Sequence, residues 1–326
     1  MRSPKTTAAA LAGTAVLLSG CGLQSANTFT PAASAGLIQP IDGVDGAEIS
    51  VGAKNFTEQL LLGKMAVIAL QVAGFDVADR SGIPGAAPAR AAMLGGETDV
   101  QWEYTGTGWL VYLGQAQGIP DPQEQYQAVR DADAANGVSW LPPAEANNTY
   151  AFAVRSEAVG ELGDVATLSD VAALPVAERT FCVESEFATR NDGFEPMLEA
   201  YGIPLGDPQG VPRDNVSVLD TGAVYTATDS GDQCNFGEVF TTDGRIASLD
   251  LTVLEDDQGY FPAYNIAPEV LTSTLEEHPE IADVLEQVAD RLTDDVLIEL
   301  NGRVDVDGED PADVAYDWMR SEGLVS

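Results

Sequence analysis

The sequence predicts an α/β protein with mainly parallel sheets, built as two lobes around a cleft. Two observations predict it. Short β-rich runs alternate with helical patterns from Ala47 onward, the pattern of strand–helix–strand units. Two further stretches, NNTYAFAVRSEA at 147–158 and FPAYNIAPEVL at 261–271, each join an aromatic to an extended run followed by a helix. A chain that leaves one lobe at the first and returns at the second puts a cleft between them. Ligands of such sheets bind beyond the carboxyl ends of strands, often between lobes.

The N-terminus comes first. MRSPKTTAAALAGTAVLLSGC opens with Arg2 and Lys5 and continues in an apolar run from Ala8 to Leu18, too short to span a bilayer as a mature helix. These are the first two regions of a secretory signal. The run ends in Leu18-Ser19-Gly20-Cys21, which resembles the bacterial lipobox. That resemblance implies that Cys21 carries a lipid, holding the mature protein on the outer face of the cytoplasmic membrane. Residues 22–47 are rich in small residues, Gly and Pro, and read as a flexible tether.

Next, AEISVGA reads as a strand, and Thr57 as the N-cap of a helix carrying Leu61, Met65, Ile68 and Val72, closed by Gly74. FDVADR is a strand, SGIPGAAP a loop, APARAAML a short helix and TDVQW a strand, and GWLVYLG starts another helix. TFCVES, VSVL, FGEVF and LDLTVLED read as later strands, with helices such as GFEPMLEAYG between them. From about Leu271 the chain is helical. The domain reading is a signal over 1–21, the tether over 22–47, one lobe from 48–149 with 260–326, and a second lobe over 150–259.

Composition narrows the chemistry. Fifty-two acidic residues face 15 basic ones, a formal net charge of −37. Such a chain is not drawn to nucleic acid or anionic lipid. Its single histidine, His278 in EEHPE, is expected on an exposed helical segment. It cannot build a histidine-based zinc site, and it leaves Cys182, Ser185 and Glu186 without a base. The reading therefore assigns no metal, cofactor or catalytic residue. Beyond Cys21, the remaining cysteines are Cys182 and Cys234. In an exported compartment one disulfide is the simplest reading, with two free buried thiols as the alternative.

The strand ends carry the informative residues: Lys54 in KNFTE, Tyr104 and Thr107 in EYTGTG, Tyr150 in NNTY, Arg190 in EFATRNDG, Phe240 in FGEVFTTDG and Tyr264 in FPAY. Ring faces attract a quaternary ammonium that has no hydrogen to donate. A carboxylate needs Arg, Lys or hydroxyl donors. A site holding both suits a zwitterion such as a betaine. An amino acid or an anion is the alternative that the two cations leave open, although an anion gains nothing from ring faces.

VGAKNFTEQLLLGKM, GGETDVQWEYTGTG, NNTYAFAV, EFATRNDG, FTTDGRIASLDLTVLEDDQGYFPAYNIAPEVL and ELNGRVDVDGEDPADVAYDWM, in this order, resemble successive blocks of the quaternary-amine substrate-binding proteins of ABC importers for glycine betaine, choline, carnitine and related osmoprotectants. The resemblance runs from about residue 48 to the C-terminus. It implies a two-lobed periplasmic-binding-protein fold of the two-crossover type, a monomer, and a permease and ATPase as partners. It also implies an aromatic box of Tyr104, Tyr150, Phe240 and Tyr264, with Lys54, Thr107 and Arg190 for the carboxylate. Phe240 stands where the family usually has tyrosine. Trp109 and Tyr112 are expected to pack in the core, and Trp102 has no assigned role.

Overall fold

The computed structural model describes residues 29–326; the signal and Cys21 lie outside them. Two five-stranded sheets organise the chain. The first contains β1 (Glu48–Lys54), β2 (Asp76–Ile83), β3 (Val100–Tyr104), β4 (Val138–Trp140) and β10 (Ile266–Leu271), in the order β2-β1-β3-β10-β4. The second contains β5 (Tyr150–Arg155), β6 (Phe181–Glu184), β7 (Val216–Leu219), β8 (Phe236–Phe240) and β9 (Leu251–Val253), in the order β7-β6-β8-β5-β9. Each sheet has its own apolar core.

Both sheets are mixed, not mainly parallel as expected. β10 runs antiparallel to β3 and β4, and β5 antiparallel to β8 and β9, while the β1–β2, β1–β3, β6–β7 and β6–β8 pairs are parallel. The reversed strands are the two that follow the crossings. Each enters its sheet from the other lobe instead of from a helix on the sheet's own face, so it runs against its neighbours. The crossings lie side by side: Asn147 bridges Asn265, and the Asn147 side chain accepts from the Tyr264 N–H at 2.6 Å.

Helix α1 (Thr57–Ala73) is buried on nearly every side, between the first sheet and the C-terminal helices, which explains its near-continuous apolar run. Gly74 closes it in the left-handed region at φ +111°, donating to the carbonyls of Leu70 and Gln71. Thr57 is not the N-cap. Phe56 holds that position without a side-chain cap, and the Thr57 hydroxyl donates to Asp305 at 2.6 Å. The Pro84-Gly85 turn leads into α2 (Ala86–Leu94). The helix expected at GWLVYLG is one short α-turn, Thr105–Thr107, that widens into a π-turn over Gly108–Tyr112, with the Leu113 N–H donating to the Gly108 carbonyl. Such turns recur at functional sites.

The described part of the segment read as a tether, residues 29–47, is fastened to the first lobe at several points. Ser34 and Ser326 exchange backbone hydrogen bonds, Ala35 bridges Val325, and Ile38 and Val44 are buried in the first core. Ile38 meets the C-terminal segment and Val44 the end of α1 beside Gly74, contacts that composition alone did not reveal. His278 is half-buried, not exposed; it sits in the break between two helices, edge-on to Phe75 at 5.3 Å. Cys182 and Cys234 are joined, with Cα atoms 5.7 Å apart, and the bridge ties β6 to the residues leading into β8. Among the described residues no helix is long and apolar enough to cross a membrane.

Candidate functional site

A cleft of about 980 Å³ lies between the sheets. It is lined by residues following β1 and β3, by both crossings, and by residues at the ends of β6 and β8. The rings predicted for it come together, and a fifth joins them. Tyr150 lies 5.4 Å from Phe240 and stands edge-on to Tyr264 at 5.5 Å. Phe56 stacks on Phe240 at 5.4 Å and on Tyr104 at 6.3 Å. The run Tyr104–Phe56–Phe240–Tyr150–Tyr264 thus draws on both lobes and on the return crossing.

Backbone choices make this possible. A Cβ at Gly106 would stand 2.4 Å from the Tyr264 ring, so only glycine lets the Thr-Gly-Thr-Gly turn close against that ring. Burial raises the phenol pKa of Tyr104, Tyr150 and Tyr264 well above the ordinary range, and nearby carboxylates add to it at Tyr104 and Tyr264. The rings therefore stay neutral and keep their quadrupoles.

The predicted cations are present and already paired. Lys54 is buried, donates to Glu103 at 2.6 Å, and holds its ammonium 4.7 Å from the Tyr104 ring centre. Arg190 grips Asp192 through Nε at 2.7 Å and Nη2 at 2.6 Å, and Nη2 also reaches the Thr107 hydroxyl at 3.5 Å. Its guanidinium carbon lies 5.2 Å from the Tyr150 ring centre. Burial works against its charge, but the groups around it, the Asp192 carboxylate among them, outweigh that and hold it firmly protonated. Nη1 is the branch least committed, with Glu186 at 3.4 Å. Asp192 also accepts from the Tyr264 hydroxyl at 2.7 Å. One carboxylate thereby sets both the cation and a ring.

The lobes touch across the cleft mouth. Glu186, after β6, accepts from the first N–H of α2 at 3.1 Å, and Asn191 donates to the Leu110 carbonyl at 2.8 Å.

Set beside known proteins, the profile of the "Substrate binding domain of ABC-type glycine betaine transport system" matches residues 47–321. The chain belongs to this family. It is 38% identical over 285 residues to a glycine-betaine-binding protein of Pseudomonas aeruginosa, covering 85% of this chain and 88% of that one. It is 32% identical over 279 residues to the glycine betaine-binding protein YehZ of Escherichia coli, covering 84% and 90%. The ligand-free structure of YehZ superposes with a TM-score of 0.62 at 30% identity, covering 86% of this chain and all of that one. The family is the extracytoplasmic solute-binding component of bacterial ABC importers, and the two-lobed architecture described above is its fold.

For this substrate-binding protein, the cleft and its surroundings hold several residues that the motifs did not single out. Phe56 lies inside KNFTE, but a lone phenylalanine beside a helix start carries no sequence signal for a ligand. Asp192 follows Arg190 by two positions, and nothing in that spacing reveals its second bond to Tyr264. Trp102 is a buried core residue of β3. Trp109 packs against the small core that holds Met93, Tyr126 and Trp140, with its indole N–H on the Gln117 carbonyl at 2.9 Å. Tyr112 hydrogen-bonds to Glu103, the partner of Lys54, and lies under Arg90; it supports the site from behind and is more than core packing.

Proposed function

We propose that this protein captures a quaternary ammonium osmoprotectant in the cleft, with Tyr104, Tyr150, Phe240, Tyr264 and Phe56 facing the ammonium head. Arg190, Thr107 and Lys54 would lie toward a carboxylate, where the ligand has one. The observation that carries this reading is the unbroken run of five rings at 5.4–6.3 Å spacing, contributed by both lobes. A methylated ammonium gains about 0.5–2 kcal/mol from each ring face it meets. Because the rings come from both lobes, such a ligand favours the closed arrangement over the open one. Phe240 keeps a ring face and lacks the hydroxyl of the usual tyrosine.

In this reading the protein has no catalytic role. It acts as a monomer held on the outer face of the membrane by a lipid on Cys21, and it hands its ligand to a permease driven by an ATPase. Glycine betaine from the named relatives, choline, carnitine and proline betaine are the ligands to titrate by calorimetry. Saturable binding of at least one is expected; no heat and no thermal shift with any of them would overturn the proposal.

A further inference from the structure

We propose that Glu58 is a positioning residue of the ligand site, its buried carboxylate holding four of the five rings in register. The proposal rests on the quaternary-amine reading of the cleft. Glu58 lies in the first turn of α1, is 2% exposed, and accepts hydrogen bonds from four neutral donors. These are the Tyr104 hydroxyl at 2.8 Å, the Asn148 amide at 2.8 Å, the Thr242 hydroxyl at 2.5 Å and the Asn301 amide at 3.1 Å.

The pattern of these partners carries the argument. Glu58 is itself two residues after Phe56. Asn148 is two residues before Tyr150, and Thr242 two residues after Phe240. Tyr104 is held directly, by its phenol. One carboxylate thus fixes the chain beside Phe56, Tyr150 and Phe240 and the ring of Tyr104, joining the first lobe, the first crossing and the second lobe. The fourth donor, Asn301, also donates to the Thr242 carbonyl at 2.9 Å, which locks that second-lobe loop in place. Tyr264 is set independently through Asp192 and Asn147. A carboxylate has about four acceptor sites, so four donors fill it. A glutamine in its place would turn an N–H₂ toward one hydroxyl, which can rotate to accept, and one amide N–H₂, which cannot. Burial raises the Glu58 pKa, and all four bonds pull it back down.

The test is a double-mutant cycle on glycine betaine and choline affinity, by calorimetry, with wild type, Tyr104→Phe, Glu58→Gln and the double variant. Tyr104→Phe keeps the ring face and removes only the anchoring hydroxyl; it is expected to weaken both ligands roughly tenfold. Glu58→Gln is expected to weaken them at least as much, and the double variant no further than Glu58→Gln alone. A merely structural Glu58 would lower the unfolding temperature and give additive losses. Additivity, or wild-type affinity in Tyr104→Phe, overturns the proposal. If Glu58→Gln does not fold, Tyr104→Phe and Thr242→Val carry the test, and wild-type affinity in either overturns it. Wild-type protein that binds neither these ligands nor carnitine or proline betaine would refute the reading of the cleft itself, a result distinct from additivity.

Discussion

Arg190 offers the sharpest separation between the two ends of a zwitterion. Two of its three nitrogens are spent on Asp192 at 2.7 and 2.6 Å, leaving Nη1 for the cleft. A betaine carboxylate would therefore gain one charge-assisted hydrogen bond, not a bidentate fork, worth about 1.5–3 kcal/mol. That corresponds to a loss of roughly 10- to 150-fold when it is removed. The direct variant, Arg190→Ala, also strands Asp192, which is buried and bound to Tyr264. The released charge would disturb a ring and favour any cation, blurring the comparison. Pairing it with Asp192→Asn removes the stranded charge and keeps an oxygen for the Tyr264 hydroxyl. In that double variant, calorimetry is expected to give a loss of at least tenfold for glycine betaine and less than about threefold for choline, which has no carboxylate. Equal losses for the two ligands would refute the assignment of Arg190 to the carboxylate end.

Three further outcomes follow from the geometry. Tyr150 touches Phe240, Tyr264 and Arg190; Tyr150→Phe should bind choline within a fewfold of wild type, while Tyr150→Ala loses up to about 2 kcal/mol of ring–cation attraction, roughly 30-fold. The Cys182–Cys234 bridge closes a separation of 52 residues, so replacing both with serine should lower stability by about 4 kcal/mol in denaturant titrations, with ligand affinity retained because the pair packs away from the cleft in its own small cluster. Glu238 and Glu269 are both pushed from 4.5 up to about 8, chiefly by burial; the Glu184 backbone N–H offsets part of this at the first, and the Glu103 carboxylate adds at the second. Their folded pKa exceeds the unfolded one, so the stability they contribute is present below about pH 4.5 and is lost as pH rises toward 8, by at most about 1.4 kcal/mol per pH unit for each. The unfolding temperature should fall across that window, and Glu238→Gln should flatten the slope.

Much of the site is legible because its residues sit in short motifs at strand ends. Tyr104, Tyr150, Phe240 and Tyr264 each follow or begin an extended run, and the structure brings all four to one cleft with Lys54, Thr107 and Arg190 among its lining. Strand and helix positions follow the apolar pattern closely. The misplacements have specific causes. Thr57 has the chemistry of an N-cap, but Asp305 captures its hydroxyl. LDLTVLED shortens to Leu251–Val253: after one more bond, from the Leu254 N–H to the Phe152 carbonyl, Glu255 leaves β5 and bridges Thr167.

Read along the chain alone, the residues establish the type of protein: alternating elements, two crossings, rings and cations at strand ends, and an excess of acid that turns away nucleic acid and anionic lipid. How those parts are held emerges only on folding. Strand direction at β5 and β10 depends on which lobe the chain arrives from, and local pattern does not record that. Glu58 reads as one more acidic residue near a helix start. Its role exists only because Thr242 and Asn301, 184 and 243 residues away, donate to it. Arg190 and Lys54 read as free cations for a ligand, until Asp192 and Glu103 are found beside them. Periodicity records which face of an element is buried; hydrogen-bond partners distant in sequence leave no period, and they set the geometry of this cleft.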